Sequence, residues 1–179
     1  MKPVVLKGER IVLRPFRMSD AKALLPFVND KVLMKYHFSP KTPFSLKRER
    51  EFVKHAIKDW KNGNNLDWAI TFDGKLIGGI SLHHIDKNNQ SVELGIWVAR
   101  EYQHKEIGYE SSKLVINFAF QKLRMNRLCY YLYTPNIASK KLIEKLGGTF
   151  EGMQRETTKK DGRFYDSYTY SILKREWKT

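Results

Sequence analysis

Six consecutive residues, Gln103-His104-Lys105-Glu106-Ile107-Gly108, separate a strand-like segment from a helix-like one, and their backbone could hold an anion. Upstream, Val92, Leu94, Ile96 and Val98 alternate with Glu93, Gly95, Trp97 and Ala99, the period of two of a half-buried strand. Downstream, Leu114, Val115, Phe118, Ala119 and Leu123 form a stripe at helical spacing. The first N–H groups of a helix have no partner within it, and the helix dipole adds positive potential at that end. A phosphate fits there. The same strand–loop–helix passage is also an ordinary structural connection. Glu93 shares a strand face with Gly95 and Trp97, where a carboxylate could accept a proton or simply be solvated. Asn136 stands before a helical segment, whose free N–H groups it could cap, and Ser139 follows within the first turn. No local pattern would activate Ser139 as a nucleophile.

The histidines do not suggest a metal site. His83 and His84 are adjacent, which on a regular strand directs them to opposite faces, and His37, His55 and His104 are scattered. The lone Cys129, set between Leu128 and Tyr130, reads as a buried structural thiol and excludes an intramolecular disulfide. With no signal-like start, this favours a cytoplasmic location.

The chain has 179 residues, 41% hydrophobic and 13% aromatic, which suits one folded domain spanning 1–179. No apolar run approaches the roughly 18 to 20 residues a membrane helix requires. The balance of 33 Lys and Arg against 19 Asp and Glu gives a net charge of +14. Such a field attracts cofactor phosphates, ribosomes and RNA without choosing among them, so direct nucleic-acid binding stays open. It disfavours free polyamines at long range. The Phe and Tyr residues of the last strands read as core rather than as base-stacking platforms.

Around the central segment the pattern predicts a first strand at 10–16 and a helix at 21–29, capped by Ser19-Asp20 and containing Pro26. Residues 31–44 suggest a short helix and an irregular loop. A charged helix at 46–61 carries Phe52, Val53, Ile57 and Trp60 on one face and ends at Asn62-Gly63. Asp73-Gly74 joins strands at 67–72 and 75–84, and Asp161-Gly162 joins strands at 149–159 and 163–173. Between them lie a helix at 106–124, a strand at 127–133 and a helix at 139–146 closed by Gly147. The order predicts an α/β (α+β) domain with a mixed sheet flanked by helices.

Gln103 to Gly108 resembles the acyl-CoA loop of the GCN5-related N-acetyltransferases (GNAT), Gln/Arg-x-x-Gly-x-Gly/Ala, with Glu106 in place of the first glycine. Asn136-Ile137-Ala138-Ser139 resembles the family's Asn-x-x-Ser signature. The opening Leu6-Lys7-Gly8-Glu9-Arg10-Ile11-Val12-Leu13-Arg14-Pro15, and a tail from Asp161-Gly162-Arg163 to Glu176-Trp177, are similar to the RimJ/RimL-type ribosomal-protein N-terminal acetyltransferases. The resemblance implies a mostly antiparallel central sheet, acetyl-CoA as cosubstrate without a metal, and direct acetyl transfer to an amine. The acceptor it implies is a protein N-terminal α-amine, with polyamine or aminoglycoside acetylation and a non-catalytic basic binding module as alternatives. A homodimer is left open.

By the same resemblance, Gln103, His104, Lys105, Glu106, Ile107, Gly108 and Tyr109 would hold the pyrophosphate. Val98, Ala99 and Arg100 would hold the pantetheine, with Asn136 and Ser139 nearby. Glu93 would be the general base, Ser139 would donate toward the leaving thiolate, and Tyr133 is a second candidate donor. Gly95 would mark where the backbone opens toward the thioester. Residues 28–46 and the Asp161–Phe164 hairpin would shape the acceptor groove. Glu106 would either turn toward the pyrophosphate as a like charge or point to solvent beside Lys105.

Overall fold

Runs of alternating apolar residues build one eight-stranded sheet in the computed structural model, which describes residues 1–36 and 43–178. The strands are β1 (Leu6–Lys7), β2 (Ile11–Pro15), β3 (Leu66–Phe72), β4 (Lys75–Asp86), β5 (Ser91–Val98), β6 (Arg127–Tyr133), β7 (Thr149–Lys160) and β8 (Arg163–Leu173). Their spatial order is β1-β2-β3-β4-β5-β6-β8-β7, and among the described residues β5–β6 is the one parallel pair. The helices are α1 (Asp20–Val28), α2 (Leu46–Asn62), α3 (Ile107–Gln121) and α4 (Ile137–Lys145), with 3₁₀ turns at Leu33–Tyr36 and Arg100–Tyr102.

Both hairpin turns have the conformation their sequences favour. Asp73 and Gly74 have φ of 49° and 74°, and Asp161 and Gly162 have 48° and 80°. Two successive positive φ values match the twist of the flanking strands. Gly147, at φ 84°, closes α4, and the Gly148 N–H reaches back 2.8 Å to the Ile143 carbonyl.

The two sheet faces carry separate cores. On one, Trp68, Ile80, Leu82, Leu94, Leu128 and Leu132 pack with Val115, Phe118, Ala119 and Phe120 of α3. Trp68 is the hinge of this packing, edge-on to Trp60 at 4.8 Å and to Phe118 at 5.5 Å. On the other face, Phe16, Ala21, Leu24, Val53, Ala56 and Ala69 unite α1, α2 and the sheet, with Leu76 and Trp97 against them.

Several local expectations are revised. The buried stripe of α2 is Glu49, Val53, Ala56 and Trp60, while Phe52 is exposed and meets the Phe16 ring edge-on at 5.5 Å. The helix packs on α1 as well as on β3, so two neighbours set its rotation. Pro26 lies inside α1 without ending it, and Ser19 makes no side-chain cap. Instead, the Asp20 carboxylate accepts the Arg17 N–H at 2.7 Å and is gripped by both Arg14 terminal nitrogens. Phe150 and Phe164 are exposed rather than core, because they lie on the outermost hairpin, β7–β8. Cys129 is half-buried: it is on the face of β6 opposite Leu128 and Leu132, which pack toward α3.

One buried carboxylate makes the fold sensitive to pH. Asp67 of β3 is 9% exposed, and its pKa is pushed up to about 7, first by burial and second by the charge of Asp59. Between the unfolded pKa near 3.8 and about 7, the folded chain holds a proton that the unfolded chain has released. Stability should therefore fall as pH rises through that window, by on the order of 4 kcal/mol for this group alone. Urea unfolding at pH 4.5 and 7.5 should show a clearly smaller loss in Asp67→Asn than in the wild type.

Candidate active site

The parallel pairing of β5 with β6 covers only Ser91–Arg127, Val92–Leu128 and Glu93–Cys129. Beyond it β5 stays paired with β4 as far as Val98, and β6 stays paired with β8 as far as Tyr133. The inner edges of 94–98 and 130–133 therefore diverge with no ladder between them. A cleft of about 680 Å³ occupies this gap. Ile96, Trp97, Val98 and Tyr130 line its floor, the segment from Arg100 to Tyr109 one wall, and α4 with its preceding turn the other. Val32, Leu33 and Tyr36 also border it.

The wall before α3 is a cradle of unpaired donors. Gln103 Nε2 donates to the Val98 carbonyl at 2.9 Å, fastening the loop to the end of β5. The first helical bond is Glu110 N–H to the Glu106 carbonyl at 2.9 Å. Among the described residues, none accepts a backbone hydrogen bond from the N–H groups of His104 through Tyr109. His104 and Glu106 have φ of 59° and 63°. This left-handed backbone costs a non-glycine residue about 1 kcal/mol and turns successive N–H groups into a concavity suited to an anion.

Glu106 thus follows the path a glycine would take. Its exposed carboxylate is engaged by Lys145 Nζ of α4, not by Lys105, and Lys145 in turn lies 4.7 Å from the centre of the Tyr109 ring. Lys105 Nζ sits 5.5 Å from the centre of the Tyr102 ring.

On the opposite wall, Asn136 Oδ1 accepts the Ser139 N–H at 3.2 Å, capping α4 and fixing where Ser139 points. Ser139 Oγ lies 2.7 Å from the Tyr130 hydroxyl. Burial raises the Tyr130 pKa, and the Ser139 hydrogen bond opposes the shift. Tyr130 belongs to no motif, and its one signal in the sequence is the alternation with Leu128 and Leu132 that places it on the α3 side of β6. Tyr133 lies outside the cleft lining, its ring 5.6 Å from that of Tyr165.

Of the residues singled out from sequence, Val98, Arg100, Gln103, His104, Glu106, Ile107, Gly108, Tyr109, Asn136 and Ser139 line the cleft. Ala99 is fully buried with its N–H bonded to the Ile77 carbonyl at 2.8 Å, and Lys105 and Glu93 also lie outside the lining. Glu93 occupies the last position of β5 that pairs with β6, opposite Cys129 on that side and His83 on the other. Its Oε2 is 2.9 Å from His84 Nδ1.

That contact depends on an irregularity in β4. The register shifts between His83 and Asp86, and His84 takes φ 48°, so the simple alternation of the adjacent histidines breaks there. Gly95, in regular register with Ser81, is not a bulge. A Cβ there would stand 3.1 Å from His83 Nε2 and 3.3 Å from Ser81 Oγ.

Of the two segments expected to shape an acceptor groove, 28–46 is touched by Lys160, the residue just before the Asp161–Phe164 hairpin, and by Arg100. Lys160 Nζ donates to the carbonyls of Met34 and Lys35 at 2.5 and 3.0 Å, and Arg100 pairs with Asp30 at 3.8 Å. The expected loop at 37–42 and His37 lie outside the described residues. Among the described residues, no three His, Cys, Asp or Glu side chains are grouped to hold a metal, and no helix is long and apolar enough to cross a membrane.

The family model described as "Acetyltransferase (GNAT) domain" matches residues 10–149. The chain belongs to the GNAT acetyltransferases. Among curated GNAT-like relatives it is 32% identical to the "Putative ribosomal N-acetyltransferase YdaF" of Bacillus subtilis (strain 168), covering 95% of this chain and 94% of that protein. A solved structure described as a "Probable acetyltransferase" is 28% identical, with TM-score 0.88 over 97% of this chain and 99% of that one. The fold is also that of "RimL- Ribosomal L7/L12 alpha-N-protein acetyltransferase", at 20% identity and TM-score 0.89 over 95% and 98% of the two chains.

Acetyl-CoA is the cosubstrate this GNAT fold implies, and the cleft fits it. Unpaired N–H groups in the left-handed loop match a pyrophosphate, and the free edges of two diverging strands match an amide-bearing arm. Because Glu106 already holds the backbone a glycine would hold, Glu106→Gly should leave the acetyl-CoA Kd within about threefold of wild type by calorimetric titration. Tightening beyond tenfold, more than about 1.4 kcal/mol, would mean that the carboxylate repels the bound phosphates.

Proposed function

We propose that this GNAT acetyltransferase, acting as one domain over 1–179, transfers acetyl from acetyl-CoA to a protein N-terminal α-amine of the ribosomal-protein type. The observation that carries the reaction is the hydroxyl pair Ser139–Tyr130 at the floor of a cleft whose rim is a cradle of free N–H groups. The acceptor class is supported by the extended likeness to the relative named a ribosomal N-acetyltransferase.

When bound, acetyl-CoA supplies the acetyl group and a thiolate that must be protonated as it leaves. The N–H groups of 104–109 hold the pyrophosphate, and the backbone from Val98 to Arg100 orients the pantetheine. Ser139, directed by Asn136 and hydrogen-bonded to Tyr130, gives its proton toward the sulfur. Glu93 is the base to which the amine proton passes, directly or through an intervening group, from the side of the sheet opposite α3. Direct transfer within a ternary complex requires no acylated side chain.

Calorimetry should show micromolar acetyl-CoA binding, and a panel of free-N-terminus peptides, spermidine and kanamycin should show fastest acetylation of a peptide. Ser139→Ala should lower kcat about 10- to 100-fold, and Glu93→Gln about 100-fold or more, with acetyl-CoA affinity little changed. Full activity in both variants would remove these two assignments.

A further inference from the structure

We propose that His83, working with Ser81, is the group that takes the proton from the acceptor amine, with Glu93 acting behind it. The inference rests on the acetyltransferase reading above and names the intervening group in its proton route.

Glu93 does not line the cleft, and its carboxylate is already turned to His84 at 2.9 Å. His83 is its cross-strand partner on β4 and, like Glu93, lies outside the cleft lining, but its ring leans across β5 toward the gap. The ring covers Gly95, one of the β5 residues released from β6, and Nε2 would be 3.1 Å from a Cβ at that position. A side chain at this position would push the imidazole back by a few tenths of an ångström from the strand that borders the cleft. Ser81 Oγ completes the arrangement, 2.6 Å from His83 Nε2 and 3.4 Å from the Gly95 carbonyl. An amine arriving over Gly95 from this face would meet the serine hydroxyl and the imidazole before any carboxylate.

Glu93 of β5 and His84 of β4 act on the ring, and the next titratable groups in the surrounding register are Asp67 of β3, opposite Ser81, and Cys129 of β6, opposite Glu93. Burial lowers the His83 pKa most, Glu93 raises it and His84 lowers it again, so the ring is a neutral base near pH 7. With the ring proton on Nδ1, Ser81 O–H donates to Nε2. As the amine nitrogen bonds to the acyl carbon and the carbon–sulfur bond breaks, Ser81 Oγ takes the amine proton and passes its own to Nε2. The Ser139–Tyr130 pair protonates the departing sulfur. Glu93 stabilises the imidazolium, and the exposed His84 beside it offers the surplus proton a way to solvent, from which the Ser139–Tyr130 pair is reprotonated.

The test uses the full chain with whichever of the peptides, spermidine or kanamycin it acetylates fastest. His83→Gln should lower kcat at least about 100-fold while leaving the acetyl-CoA Kd within about threefold. In the wild type, log kcat should fall with acidity through a pKa below the ordinary imidazole value near 6.5. NMR titration of the His83 ring in the unreactive complex of protein, CoA and acceptor should give the same midpoint, and Glu93→Gln should move the ring midpoint lower. His55→Gln, on the exposed side of α2, should change none of these.

If His83→Gln keeps kcat within about threefold, or the ring midpoint and the kinetic limb differ, the proposal is overturned while the acetyltransferase reading stands. The NMR comparison decides even if the variant fails to fold. Wild-type protein that binds acetyl-CoA but acetylates no member of the panel overturns both.

Discussion

The separation of β5 from β6 after the Glu93–Cys129 pair governs the rest of the molecule. Two strands that diverge leave backbone donors and acceptors without partners, a costly state when buried. Here the gap opens into the cleft, where solvent or an amide-bearing ligand can serve those groups. Each strand remains held on its outer edge, β5 by β4 and β6 by β8, so the opening is rigidly framed. The two walls follow from it: α3 starts after β5 and α4 starts after β6, so two helix N-termini flank one gap.

At those two starts the chain uses different local chemistry. Asn136 caps α4 through its own side chain and thereby aims Ser139 at Tyr130. Before α3 no side chain caps the helix, and the N–H groups stay open. Glu106 accepts the left-handed backbone, and its charge is neutralised by Lys145 across the cleft. The substitution that departs from the family's glycine is therefore absorbed by a residue of the other wall. Exposed ion pairs of this kind contribute little to stability, but this one fixes where the carboxylate lies.

The face away from α3 is built on a different plan. Around Ala69 it is apolar and covered by α1 and α2, and the covering cluster reaches Trp97. Past that point Ser81, His83 and Glu93 replace apolar residues on the same face, and the β4 irregularity brings His84 to Glu93. A polar group of this density beside a gap in the sheet is where a fold serving many amines can differ from one member to the next.

Much of the architecture was legible in local sequence because it depends on neighbours along the chain. Alternation marked the strands from β2 onward but not the two-residue β1, Asp-Gly pairs marked two hairpins, and Asn136 and Gly147 bounded α4, all within a residue or two. The donor loop before α3 was legible for the same reason. The lateral arrangement was not. Strand alternation assigned Glu93 a face but not a distance to the cleft, and Tyr130 gained its importance only when Ser139 came within 2.7 Å from another element. The bulge at His84, the rotation of α2 and the Glu106–Lys145 pair likewise depend on partners remote in sequence. Local backbone preference and side-chain periodicity act over a few residues, so the chain by itself determined the elements and the donor-rich loop before α3. Which groups share the cleft was decided by sheet register and helix packing, which only the assembled tertiary structure sets.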